Sequence, residues 1–306
     1  MTTQPTYAEL TSRALISVTG ADWRSFLQGL LTQDVETLVP SKARFAGLLT
    51  PQGRLLWDLF VVGRADGCWL DVAREHREAI VQRLAMYKLR AKVEIAPHEA
   101  GVSAVFETPP PSPASGGIHL PRFAVEERVA APPPAGELSA KPTEGAFVPD
   151  PRLPALGLRG YGAAPPDGAR VGDEAAYEAH RLALGVPGPA DWGSDKTYPI
   201  EANFDLLGGI DFKKGCFVGQ ETTSRMKRRG QVKSRMAPIV FDGPPPPAGA
   251  EVLNGDLRAG EVRSGLAGRA IALLRLDRIG PALSVDGRAV RVERPEWMAE
   301  ALGESV

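Results

Sequence analysis

From Ala14 to Val18 the chain reads as a short apolar strand, and Gly20-Ala21-Asp22 then offers a turn and a helix cap. Beyond it Trp23, Phe26, Leu27, Leu30 and Leu31 recur at helical spacing, which predicts a helix with one buried face. Phe45–Thr50 and Leu55–Val62 are apolar runs separated by Pro51-Gln52-Gly53-Arg54, a turn-forming tetrad, so they predict a β-hairpin that Trp69–Val72 extends. Arg74–Leu89 is amphipathic, with Ile80, Leu84 and Tyr87 or Leu89 inward, and Lys92–Ile95 returns as a strand. A helix capped near Asp173 runs through Tyr177, His180 and Leu184 until Gly185 stops it.

Two stretches break these patterns. From Thr108 to about Gly145 the chain is rich in Pro, Ala, Gly and Ser, which predicts irregular structure without chemistry. Pro244-Pro245-Pro246-Pro247 then precedes short Gly-punctuated strands up to Val292, the pattern of a small terminal β-barrel or sandwich. At 306 residues the chain has room for two or three packed units.

Composition narrows the function classes. Hydrophobic residues at 43% and charged residues at 24% are those of a globular protein rather than a disordered or fibrous one. The formal net charge of -1 argues against nucleic acid as a partner. The opening residues lack the basic and apolar regions of a secretory signal, and no apolar run approaches the ~20 residues of a membrane span, so a soluble, cytoplasmic chain is expected. Two cysteines, Cys68 and Cys216, do not make a disulfide framework.

Chemistry concentrates between Ile210 and Arg229. There Lys214-Gly215-Cys216-Phe217-Val218-Gly219-Gln220-Glu221 brackets a cysteine with two glycines, which favours a tight turn and a close ligand approach. Lys213, Lys214 and a helix starting just after the cysteine would favour its thiolate. The other reading is a buried cysteine acting as a small hydrophobe. If the following residues are helical, Glu221 and Arg225 pair, while Arg225 and Arg229 form a basic stripe that meets an anionic tail or partner, or simply faces solvent. A second feature is Asp58, a carboxylate inside the apolar run Leu55–Val62. It either occupies a site, paired or hydrogen-bonded, or points outward from a half-covered strand. The four histidines show no metal-ligand spacing, two cysteines cannot ligate a four-iron cluster alone, and dinucleotide, Walker A and serine-hydrolase motifs are absent from the sequence.

Lys214–Glu221 is a complete match to the K-G-C-[FY]-x-G-Q-E sequence, and the chain resembles the YgfZ family, relatives of the glycine-cleavage T-protein (GcvT). Leu27-Gln28-Gly29 with Thr32-Gln33-Asp34, Gly53-Arg54 with Asp58, Lys88–Val93, Asp150-Pro151-Arg152, Glu201-Ala202-Asn203 and Arg294–Trp297 extend the resemblance in the same order over nearly the whole chain. It implies an α+β, GcvT-like fold: two interleaved α+β units around a central folate cavity over residues 1–230, and a C-terminal β-barrel over 231–306. It also implies a tetrahydrofolate or related reduced folate as cofactor, with Asp58, Lys214, Gly215, Gln220, Glu221 and Arg225 around it. Cys216 and Asp58 would be the catalytic residues, with no resident metal.

In the transferase relatives an R-[IL]-E glutamate contacts the pterin. Here Arg181-Leu182-Ala183 carries Ala183 in its place, which makes the chain more similar to the mitochondrial iron–sulfur assembly factors, as their counterpart in bacteria. The function implied is a folate-binding accessory protein in assembling or maintaining four-iron clusters, with assembly proteins and four-iron client enzymes as partners. A tetrahydrofolate-dependent aminomethyl or methyl transferase, and a scaffold without catalysis, are the alternatives.

Overall fold

The computed structural model describes residues 4–107, 145–230, 232–266 and 268–303. The Pro-rich stretch therefore lies, up to residue 144, outside the described residues. Three sheets organise the rest. The first is antiparallel, in the order Ala43–Leu49, Leu55–Gly63, Gly67–Ala73, Arg13–Thr19 and Glu94–His98. The second runs Arg170–Gly172, Thr6–Glu9, Val102–Phe106, Leu158–Tyr161, Ala146–Pro149, with only the Arg170–Gly172 pairing parallel. Because Thr6–Glu9 belongs to the second sheet and Arg13–Thr19 to the first, the two units are interleaved, as expected.

Alternation along each strand gives the first sheet two apolar faces. Its outer face packs Ile16, Val18, Leu59 and Leu70 against Trp23, Leu27, Ile80 and Leu84 of the helices Trp23–Gln28 and Arg77–Lys88. Ile80 and Leu84 are fully buried, each worth about 2 kcal/mol of transfer free energy. Leu89, the alternative inward residue, is exposed beyond the helix end instead. Asp22 does not cap the first helix either; its carboxylate accepts from the Lys92 backbone N–H at 2.7 Å, which ties the returning strand to the helix start. Asp173 does cap, accepting from Ala176 N–H at 2.9 Å. The inner face carries Leu15, Val62 and Trp69 against Ala8, Ala104 and Tyr161 of the second sheet, and Phe45 and Phe60 against Phe204 and Trp192.

The third sheet runs Arg288–Ala289, Leu283–Val285, Glu251–Asn254, Leu257–Leu266, Arg269–Arg275, Ser234–Val240 and Arg291–Val292. Its two edges are successive pieces of one segment around Val290, so the sheet curls into a nearly closed barrel. Glu201-Ala202-Asn203 fastens it to the rest: Met236 N–H donates to Glu201 O at 2.8 Å and Asn203 Nδ2 donates to Met236 O at 2.7 Å. Ser264 Oγ adds a bond to Asp191 at 2.5 Å.

Candidate functional site

Asp58 and Phe60 share the inner face of their strand, while Trp57 points the other way. At 3% exposure Asp58 is not an outward polar residue. Its Oδ2 accepts from Arg13 Nη1 at 3.0 Å, and Arg13 Nε donates to Asp71 Oδ1 at 2.7 Å. Arg159 Nη2 donates to Asp71 Oδ2 at 2.6 Å and Tyr161 adds its hydroxyl at 3.2 Å. Asp150 takes Arg152 Nη2 at 2.7 Å and lies 3.5 Å from Arg159. Three guanidinium groups, those of Arg13, Arg152 and Arg159, surround the Phe60 ring at 5.4, 4.9 and 4.0 Å from its centroid.

The interior between the sheets thus holds three arginines and three aspartates in balance. Burial alone would raise the Asp71 carboxyl, but Arg13 and Arg159 outweigh it and hold it below the usual carboxylate range. Asp150 follows the same logic, with Arg152 the leading cation. The second oxygen of Asp58 accepts no hydrogen bond among the described residues, so it is free to take an N–H or O–H from a ligand.

The Cys216 stretch is built differently. Asp211 Oδ1 accepts from the Lys213 and Lys214 backbone N–H groups at 2.7 and 3.2 Å and starts the turn. Lys214 then turns inward, its Nζ donating to the carbonyls of Gln28, Leu31 and Gln33 at 2.8, 2.6 and 3.1 Å. The Gln28 oxygen lies at the C-terminal end of helix Trp23–Gln28, where a cation is favoured, and those of Leu31 and Gln33 come from the segment that follows it. Burial pushes the Lys214 amine down to about 8, with Asp34, Asp211 and Glu36 opposing. Val218 N–H donates to Gly29 O at 3.1 Å, and Phe217 is buried in the cluster that holds Phe45 and Phe60.

Gly219 sits at φ +81 against Gly53 at φ +84 of the hairpin turn, and a Cβ on Gly219 would lie 2.5 Å from Thr50 O. The two sequence motifs therefore meet at a glycine pair. Gly215 differs: its φ is ordinary and a Cβ there would meet nothing within 4 Å.

The result is an exposed Cys216 on a loop anchored by Gln28–Gln33 and by the hairpin turn. The buried-hydrophobe reading fits Cys68 instead, where burial pushes the thiol up. Three expectations change. Lys214 is directed to backbone carbonyls rather than towards the thiol. Glu221 and Arg225, both exposed on helix Gln220–Arg229, form no ion pair among the described residues. Gly215 shapes no turn, so only Gly219 does. Gln220 closes the turn weakly, its Oε1 accepting from Phe217 N–H at 3.4 Å.

No hydrogen bond or ion pair among the described residues joins Asp58 to the Cys216 loop; the loop meets the Asp58 strand through packing, Phe217 with Phe45 and Phe60 on one face and Val218 with Trp57 and Leu59 on the other. A cleft of about 530 Å³ opens elsewhere, beside Tyr7, Val171 and Glu174, and includes none of the site residues read from the sequence. Those readings missed Arg13, Asp71 and Arg159. Asp71 carried the same signal as Asp58, a carboxylate within an apolar strand.

Over 94% of its length the chain is 31% identical to the Homo sapiens iron–sulfur cluster assembly factor IBA57, mitochondrial, and it spans 84% of that protein. The chain belongs to the IBA57 family. The Mus musculus IBA57 factor is 29% identical over 95% of the chain and 85% of its own length, and the Neurospora crassa IBA57 homolog 32% over 76% and 53%. Residues 233–300 match the family described as CAF17, C-terminal beta-barrel domain. The fold resembles the glycine cleavage system aminomethyltransferase T of Bartonella henselae, with a TM-score of 0.72, 18% identity, and coverage of 97% of this chain and 87% of that one. The GcvT-like fold with its barrel is thus as expected. The cytoplasmic location is not: the IBA57 relatives are named as mitochondrial proteins, and that expectation is overturned.

Proposed function

We propose that this chain acts in iron–sulfur cluster assembly, supporting four-iron client enzymes, with Cys216 as its functional thiol and a reduced folate bound near Asp58. Membership of the IBA57 family supports the assembly role. The observation that carries the thiol assignment is the construction of the loop. Lys214 commits its ammonium to three carbonyls, and the outcome is a fixed backbone that leaves Cys216 exposed. An accessible thiol on a held loop suits transient contact with a cluster in transit, which is cargo here and not a resident cofactor.

The folate assignment rests on the GcvT-like fold together with the single open oxygen of Asp58. In this reading Arg13 orients the Asp58 carboxylate through its hydrogen bond at 3.0 Å, and Asp58 accepts a hydrogen bond from the ligand. Gly215, Gln220, Glu221 and Arg225 would border the ligand's outer end, where Arg225 is exposed and suits an anionic tail. Residues 1–230 would form the ligand-binding part and 231–306 the covering barrel. A transferase reading draws on the same Asp58 but lacks a carboxylate at Ala183.

Two measurements test the proposal. A strain lacking its own copy should recover four-iron enzyme activity when given this chain; no recovery contradicts the assembly role. Calorimetric titration with reduced folates should show binding that Asp58→Asn weakens, and silence across the series removes the folate. Turnover of a methylamine donor lost in Asp58→Asn would favour the transferase.

A further inference from the structure

Two surface segments carry positive charge that the chain's own ion pairs leave unused. From Ala79 to Val93 stand Arg83, Lys88, Arg90 and Lys92 with no carboxylate, and from Lys213 to Arg229 five cations besides the inward-turned Lys214 face Glu221 alone, on a chain of formal net charge -1. None of these cations enters an ion pair among the described residues. The rest of the molecule is correspondingly acidic.

Each segment also presents an apolar side chain to solvent. Leu89 is 89% exposed with Met86 beside it at 63%, and Phe212 is 37% exposed with Lys227 Nζ 5.4 Å from its ring centroid. Leu89 has φ +41, a conformation that costs a non-glycine residue about 1 kcal/mol or more. Packing returns nothing for that cost, because the side chain is outside. The turn is nonetheless held, with Ala91 N–H donating to Lys88 O at 2.7 Å and Val93 N–H to Ala91 O at 2.9 Å.

The segments bracket one short helix. Lys92 N–H bonds Asp22 at its start, while Lys214 Nζ bonds Gln28 O and Val218 N–H bonds Gly29 O at its end. Six residues of helix span about 9 Å, and Ala91 and Val218 pack on the same core cluster.

We propose that the Met86–Lys92 turn and the Phe212–Arg229 segment form one docking face for an acidic protein, with Leu89 and Phe212 as apolar anchors. Arg90, Arg225, Lys227 and Arg228 supply the cationic rim that steers and registers the partner. Paired apolar anchors within a cationic rim match a protein surface better than a nucleic-acid backbone, which would want a continuous basic track. That the partner carries an iron–sulfur cluster rests on the reading above, whereas the face itself does not.

The test places a photo-reactive benzophenone amino acid at Leu89 or at Phe212 of the full chain in its own cells, with Leu257, an exposed barrel leucine, as control. Both positions should capture the same acidic protein, identified by mass spectrometry, and Leu257 should not. With that protein purified, Leu89→Ser and Arg90→Glu should each weaken binding about tenfold, and binding should fall as salt rises, while both variants keep the parent melting temperature. Capture of different proteins at the two positions, no capture, affinity unmoved by both substitutions, or instead a Leu89-dependent association with anionic lipid vesicles overturns the proposal. Capture of an acidic protein unconnected with clusters would sustain the face and count against the assembly role alone.

Discussion

The Lys214 ammonium donates to the Leu31 carbonyl at 2.6 Å, and through it the loop that carries Cys216 is joined to the segment that follows helix Trp23–Gln28, distant in sequence. Two further carbonyls, of Gln28 and Gln33, share the same nitrogen. Lys214→Met removes all three bonds and leaves the carbonyls half-buried, so it should cost about 1–3 kcal/mol of stability by urea denaturation. Hydrogen exchange should rise over residues 211–219 first. An unchanged midpoint and unchanged exchange would mean that the loop is held by Val218 and Gly219 alone.

Lys214 also gives the loop a pH signature. Its amine titrates near 8 in the folded chain and near 10.5 when exposed, so over that interval the unfolded chain holds a proton that the folded one has released. Stability contributed by this group therefore rises with pH between about 8 and 10.5. The stability gap between the parent and Lys214→Met should widen across that window; a gap that narrows would contradict the assignment.

The two glycines beside Cys216 should respond in opposite ways. Gly219→Ala forces a side chain onto Thr50 O at φ +81 and should destabilise by about 1–3 kcal/mol. Gly215→Ala enters open space at an ordinary φ and should melt with the parent. Thermal melts of the two variants decide it. Loss of biological activity in Gly215→Ala at full stability would point to a ligand or partner approaching the thiol closely.

In the interior, Arg13 holds two carboxylates at once. Arg13→Met leaves Asp58 and Asp71 buried without their shared cation and should cost about 3–5 kcal/mol, whereas Asp58→Asn, which keeps a hydrogen-bond acceptor, should cost far less. Asp71 and Asp150 are held below 3.8 in the fold, so their contribution is complete above that pH and is lost as pH falls through the lower folded values. Acid unfolding should accordingly steepen below about pH 4, and Asp150→Asn should blunt it. Equal acid sensitivity in parent and variant would contradict the network.

Periodicity made the first sheet and its two helices legible, because Ile80, Leu84, Trp23 and Leu27 repeat where a helix needs them. Resemblance supplied the topology that local pattern does not encode: nothing near Thr6 says that its strand joins a different sheet from Arg13. The Cys216 motif was readable as a turn, yet the role of Lys214 was not, since its partners lie more than 180 residues earlier. The charge network was hidden for the same reason. Arg13, Asp71, Asp150 and Arg159 come from separate strands and loops, and only packing reveals that their charges cancel. Leu89 looked like a core residue by spacing until the chain turned left-handed at that position.

The central claim is tested most directly by replacing one sulfur with oxygen. Cys216→Ser, expressed at the parent level in a strain lacking its own copy, should fold with an unchanged melting temperature, because the side chain is exposed. It should leave four-iron enzyme activity at the level of the empty strain while the parent chain restores it. Full restoration by Cys216→Ser would contradict the account.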